Sequence, residues 1–345
     1  MATRPLPFVP REEKPRPARV IQYPGNGVAG GLAAVTRDPL ALGEVIRDLN
    51  ILVVGDVTVA GGLADGALSP EQPLSLIRDL QIVGTSRTRP QVGQIKRSEV
   101  GALFQYLAMM KGTPGNRVNL AIPGLQAATP FLFDLEVDFE LPRAIDPRMT
   151  LLNTMELQTL DLLIQWEDRN GLINGGDRVV TINNCTATVQ AREFVDDVTK
   201  AGTYGIHRFD FIEQAITAAN AAFPIDIRRG FFLRGLLIKQ FTQAPGVNFH
   251  TPVATVVTGA IQVSINRNPV LLYNSWAHLV SENKLTYGLE ALPLGYAFID
   301  FFTEGKLDTL IDTRIIESVE LILGVAAPAN ARLRVYPVEL IPARR

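Results

Sequence analysis

A chain of 345 residues, 47% hydrophobic and 20% charged, is long enough for two hydrophobic cores and too apolar for wholesale disorder. Its net charge of −2 and pI near 6.0 lack the basic excess that phosphate-backbone binding needs, so no specific nucleic-acid partner is expected. Cys185 is the single cysteine, which excludes an internal disulfide and a multi-thiolate zinc site and fits assembly in a reducing cytosol.

The chain opens on MATRPLPFVPREEKPRPAR, where five prolines stand among Arg4, Arg11, Lys14, Arg16 and Arg19 and two glutamates, Glu12 and Glu13, giving a local charge of 5 − 2 = +3. Such a stretch forms neither helix nor central strand. It has no apolar secretory core, and no later segment supplies the roughly 20 apolar residues of a membrane span. Residues 1–39 are therefore expected to be an extended N-terminal arm, with the glycines at 25, 27 and 30 forming a flexible hinge.

Beyond the arm the pattern is mostly short strands separated by Gly, Pro, Asn and Asp. These are expected at 51–60, 76–85, 131–141, 160–166 and 186–193, then at 231–241, 255–266, 296–302, 318–325 and 331–340. Helical spacing is confined to 96–112, with Ser98 as N-cap and Gly112 as stop, to 208–223, ended by Pro224, and to 274–283. Without βαβ alternation a parallel α/β sheet is excluded.

The chain repeats itself. TLLNTMELQTLDLLIQW (150–166) aligns without gaps on TLIDTRIIESVELILGV (309–325), with Thr150/Thr309, Leu151/Leu310, Thr154/Thr313 and Leu162/Leu321 identical and nine further pairs conservative. Asn153 and Asp312, each followed by Thr, suit a turn closed by their own side chains, which then feeds an alternating strand. LIRDLQI (76–82) resembles FLRGLLI (232–238), with Arg78 opposite Arg234. The two copies are placed at 40–205 and 226–345, joined by a linker helix at 206–225.

Several constellations resemble sites. Gly25, Gly27 and Gly30 spell GxGxxG with Asp56 in reach as a ribose ligand, but Pro24 and Pro39 spoil the strand and helix a dinucleotide would need. Asp134, Glu136, Asp138 and Glu140 share one strand face, as paired carboxylates for glycoside hydrolysis or calcium would; the alternative is a face answered by Arg and Lys. His207, His250 and His278 lack the HxH spacing of a cupin metal site and read as structural residues. Trp166 and Trp276 read as core. No catalytic, cofactor-binding or metal residue is assigned.

With two tandem sandwich units, a helix before the later strands of each, a Leu/Ile-Asn/Asp-Thr corner in both, and the segment PLGYAFIDFFTEGKLDTLIDT (293–313), the chain resembles the double jelly-roll major capsid proteins of tailless, membrane-containing icosahedral viruses. The resemblance implies an all-β fold of two tandem eight-stranded antiparallel jelly-roll β-sandwiches with a few short helices. It also implies a non-enzymatic homotrimer with pseudo-hexagonal outline, neighbouring capsomers, penton and minor capsid proteins as partners, an arm lying toward the internal membrane, and a place in the virion shell after assembly in the host cytoplasm, as in a bacteriophage. The alternatives are a two-domain β-sandwich or bicupin-type enzyme and a carbohydrate-binding module.

Overall fold

The computed structural model describes residues 13–43, 45–61, 67–86, 93–111, 118–119, 128–174, 179–194, 202–246, 248–302 and 304–343. Residues 1–12 of the arm and the stop at Gly112 lie outside them. Among the described residues no helix is long and apolar enough to cross a membrane.

Two β-sandwiches follow one another. In the first, a long sheet sets Val45–Ala60 between Val179–Phe194 and Ala128–Asp138. The facing short sheet runs Ala34–Pro39, Thr159–Trp166, Ile77–Thr85, Gln94–Ser98. In the second, the long sheet sets Phe232–Thr242 between Ala331–Pro342 and Tyr296–Asp300; its short sheet runs Asn220–Asp226, Val319–Val325, Val257–Ile265, Asn268–Tyr273. Helix α1 (Val100–Lys111) follows the last strand of the first short sheet, and α2 (Trp276–Tyr287) follows that of the second.

The duplication holds residue by residue. Leu152–Asn153 pairs with Ile46 and Val45, and Ile311–Asp312 pairs with Leu233 and Phe232. Both long sheets shift register one residue later, at Arg47 and at Arg234, so these two arginines are equivalent. The Asn/Asp-Thr corners match in chemistry: Asn153 Oδ1 accepts from Met155 N and Asp312 Oδ1 from Arg314 N, both at 3.1 Å. Thr154 Oγ1 accepts from Gly43 N and Thr313 Oγ1 from Phe231 N, both at 3.0 Å.

Three expectations are corrected. The match of 76–82 to 232–238 fails, because 77–85 answers to 257–265 in the short sheet while 232–242 answers to 45–60. The helix expected at 208–223 is instead Gly205–Phe209, Ile212–Ala215 and Asn220–Asp226, all strands: the apolar residues that fit a helical face, Phe211, Ile212, Ala215 and Ile216, run along the edge of Ala331–Pro342, whose free hydrogen-bonding groups recruit them. Residues 13–39 are not a free arm. Glu13–Pro15 and Arg19–Gln22 add to the edge of Val179–Phe194, just as 205–209 and 212–215 add to that of 331–342, before 34–39 crosses to the short sheet.

The rolls are fused edge to edge. Gly205–Phe209 pairs antiparallel with 331–342 and, through Phe209 and Lys96, parallel with the first roll's Gln94–Ser98, making one 11-stranded sheet. One core fills the second roll alone, around Leu236, Ile238, Ile261, Leu321 and Val335. The other fills the first roll and continues across the seam to Leu237, Phe298, Tyr336 and Val338.

Candidate functional site: the seam between the rolls

Helix α1 belongs to the first roll yet lies against the second. Tyr106 packs on Phe209 and Phe298, ring centroids 5.2 and 5.6 Å away. The helix begins at Val100, so Glu99 rather than Ser98 stands at its cap: Leu103 N reaches the Glu99 carbonyl, and Ser98 Oγ donates to the same carbonyl at 2.7 Å. That places the Glu99 carboxylate in the seam. Lys239 Nζ lies 2.9 Å from it, His250 Nδ1 2.7 Å, and Tyr336 donates its hydroxyl at 2.6 Å. Lys239 also reaches Glu71 at 3.0 Å, where Tyr296 donates its hydroxyl.

Buried charge is tolerable only when paired this closely. Burial by itself would raise the Glu99 pKa; Lys239, His250 and Arg334 overcome it and hold the carboxyl well below its ordinary range. Burial pushes the His250 imidazole down despite Glu99, so Nδ1 of a neutral ring is the donor. The cluster latches one roll to the other through paired charges.

A second set of contacts locks the other side of α1. Fully buried Arg234 donates to the Pro142 carbonyl at 2.5 Å and to Met110 Sδ at 3.0 Å, and reaches Asp300 at 3.5 Å. Gly305, in the segment that carried the family resemblance, adopts φ +73°, where a side chain would crowd the Arg143 carbonyl; its own carbonyl accepts from Ile145 N across the seam. Of the seam residues, the sequence points to Arg234 only as a partner of Arg78 in the repeat, to His250 only as a structural histidine and to Ser98 only as a cap; Glu71, Glu99, Lys239 and Tyr336 carry no such signal. The available signal was the cations Arg234 and Lys239 inside the apolar run FFLRGLLIKQF: a charge in a doubly buried strand demands a buried partner.

The acidic strand finds its partners within the chain. Lys111 Nζ sits 2.7 Å from Asp138 and 3.0 Å from Glu136. Arg192 bridges Glu136 at 2.7 Å and Asp48 at 2.6 Å, Arg47 reaches Glu140 at 3.4 Å, and Asn50 donates to Asp134 at 2.8 Å. Asp48, absent from the sequence reading, is brought in by its register opposite Asp138. Oxygens of Asp48, Glu136 and Asp138 lie within 4.8 Å of one another; Lys111 and Arg192 already stand between them, which serves ion pairing rather than an open coordination site. Burial pushes Asp138 up to about 7, whereas Lys111 holds Glu136 below its usual value against burial.

The remaining candidates are dispersed. His207 is buried beside Tyr106 and held well below its ordinary pKa by burial and by Lys96 and Arg234; His250 is in the seam; His278 lies on α2 against Tyr273. The glycine segment is no hinge. Gly27 and Gly30 donate to Ile182 and Val180 carbonyls, Gly30 accepts from Arg169, and Tyr23 accepts from Leu32 N while donating to the Glu167 carbonyl, so these amides are spent on the sheet instead of a phosphate. Asp56 accepts from Asn184. Trp166 lies in the core, edge-on to Tyr23 and donating to Thr36, and Trp276 lies in the second core. Burial raises the Cys185 thiol to about 12 and keeps it inert.

No family model matches the sequence, and no curated protein does. Solved structures do match along nearly the whole chain. The STIV major capsid protein superposes with TM-score 0.70 at 15% identity, covering 94% of this chain and 96% of that one. The fold is a double jelly roll. Major capsid protein P2 from bacteriophage PM2 shares the double jelly roll at TM-score 0.56 and 12% identity, covering 94% and 97%, and the Faustovirus major capsid protein at 0.60 and 8%, covering 99% and 91%.

Proposed function

We propose that the protein is the major capsid protein of a tailless icosahedral virus with an internal membrane. The observation that carries the reading is the duplicated roll itself, matched end to end to capsid subunits from several viruses. Two near-equivalent rolls per chain and three chains per ring give six near-equivalent edges, so one gene product can tile a hexagonal lattice under closed symmetry. The subunit is structural and needs no cofactor: its polar clusters are ion pairs, one within the first roll and one that fixes one roll on the other. Neighbouring capsomers, penton and minor capsid proteins are the partners this role requires. The proline-rich segment 1–19, whose side chains sum to +3, is suited to a membrane face, and a virion subunit of this kind is assembled in the host cytoplasm.

A bicupin-type enzyme would need converging histidines, whereas His207, His250 and His278 occupy three separate environments. Size-exclusion chromatography with light scattering of the soluble protein is expected to give a mass about three times the 37.7 kDa of the chain, with pseudo-hexagonal particles in electron micrographs. A monomer at every concentration, and in the presence of lattice-promoting crowders, sinks the proposal.

A further inference from the structure

Helices α1 and α2 are equivalent 12-residue elements whose burial differs at the last position, where exposed Lys111 answers to buried Tyr287, and along one whole face. Val100, Leu103 and Leu107 of α1 answer to Trp276, Leu279 and Asn283 of α2, and all are buried. Helix α1 buries a second face as well, Gly101, Ala102, Tyr106, Met109 and Met110, from which Tyr106 and Met110 touch the second roll. The corresponding residues of α2, offset by 176, are Ala277, His278, Glu282, Leu285 and Thr286. Every one is exposed, Leu285 at 83%.

What covers the second face of α1 is the outer side of a long sheet. On the second roll that side presents Leu237, Phe298, Tyr336 and Val338. The matched registers put Asn50, Glu136, Gln190 and Arg192 at the same places on the first roll, where they remain partly exposed. Among the described residues there is thus one helix face without a sheet and one sheet face without a helix, and the seam inside the chain shows how such a pair docks. We propose that the α2 face of Ala277, His278, Glu282, Leu285 and Thr286 is covered by the outer long-sheet face of the first roll of a second copy. This rests on the trimer reading above and names the surface that builds it.

Equivalence carries Tyr106 to Glu282 and its neighbours Phe209 and Phe298 to Pro15 and Glu136. Glu282, which accepts from the Tyr273 hydroxyl of its own chain at 3.1 Å, therefore arrives beside Glu136 of the next, where Lys111 and Arg192 stand among the carboxylates and must answer one more. The backbone bridge between Lys96 and Phe209 becomes Leu271 against Pro15. Proline donates no hydrogen bond, so the sheets of adjacent chains abut without fusing, and exposed Val270 and Leu272 at that edge are covered without inviting runaway strand addition.

The test is a double variant of the full chain, Pro15→Cys with Glu282→Cys, oxidised and run on a denaturing gel; buried Cys185 does not compete. The expected result is a ladder of covalent dimers and closed trimers that neither single variant gives. Leu285→Arg, at a solvent-facing site, is expected to retain wild-type circular dichroism while its assembly weakens at least tenfold in light scattering. If wild type is trimeric but the double variant yields no inter-chain bands and Leu285→Arg remains trimeric, this surface is wrong and the trimer stands. If wild type is monomeric throughout, both fall.

Discussion

Val45–Ala60 and Phe232–Thr242 hold the same place in their rolls, yet the first alternates between buried and half-buried residues while the second is buried along almost its whole length. Topology and register are shared; the covering is not. The first strand has a core on one side and a half-buried outer face of Asn50, Leu52, Val54, Asp56 and Thr58, polar at three of these five positions. The second has a core on one side and α1 with the seam on the other, so it reads as the continuous apolar run of a strand covered on both faces. Duplicated folds diverge first where one copy is covered and the other is not, and the charges caught under the cover, Lys239 and Arg234, become dependent on their partners.

Breaking that dependence gives the largest effect. Glu99→Ala leaves Lys239, His250 and Arg334 facing one another without the carboxylate, and removal of one member of a buried ion cluster costs about 3–5 kcal/mol. Urea unfolding followed by fluorescence is expected to show this loss. A change below about 1 kcal/mol means water replaces the carboxylate and the latch is not dry. The register-equivalent cap of α2 is Ser275, which accepts from His278 N at 3.2 Å; this bond stays within the helix, so a cap-sized penalty of about 1 kcal/mol on Ser275→Ala sets the contrast.

The polar face of the first roll separates from the seam through pH. Asp138 titrates near 3.9 in an unfolded chain and at about 7 when folded, chiefly through burial. Between those values the folded state holds a proton the unfolded state has lost, so this group's contribution to stability falls as pH rises from about 4 to about 7 and is level above. Asp138→Asn removes that dependence. The difference in melting temperature, variant minus wild type, is therefore expected to move in the variant's favour between pH 4.5 and 7.5. A difference that stays flat means Lys111 keeps Asp138 ionised throughout. Glu99 behaves oppositely: its depressed pKa makes its contribution complete above about pH 4.5 and lost on further acidification.

Legibility in the sequence followed the same division. The all-β class, the strands, both helices and the repeated corner could be read because alternation, turn residues and the 150–166/309–325 match are local signals. The match of 76–82 to 232–238 failed because a short apolar run with one arginine recurs in any buried strand, while the true equivalence of Arg47 and Arg234 is a matter of bulge position, which composition does not encode. The 208–223 segment failed for a related reason: in a window this short, strand and helix spacings overlap, and the open edge of 331–342 decided the outcome. The seam was invisible because its members, Glu71, Glu99, Lys239, His250 and Tyr336, lie far apart along the chain and meet only after two rolls have folded.

The smallest expected effect is the most direct measure of how alike the rolls are. Asn153 and Asp312 each close their corner with one side-chain acceptor on the backbone two residues on, at the same 3.1 Å, and each precedes a threonine that ties the corner to the start of its long sheet. Replacing either by alanine deletes one local hydrogen bond at a partly exposed site, worth about 0.5–1.5 kcal/mol. Asp312 also holds Arg314 in a bidentate pair at 2.6 and 2.8 Å, which adds up to about 1 kcal/mol. Asn153→Ala is thus expected to lower stability by the hydrogen bond alone and Asp312→Ala by that amount plus the Arg314 pair, and the double variant by their sum if the corners act independently. If one variant is silent while the other costs more than about 3 kcal/mol, the corners are alike in geometry only, and the second roll's corner has been taken over by its surroundings.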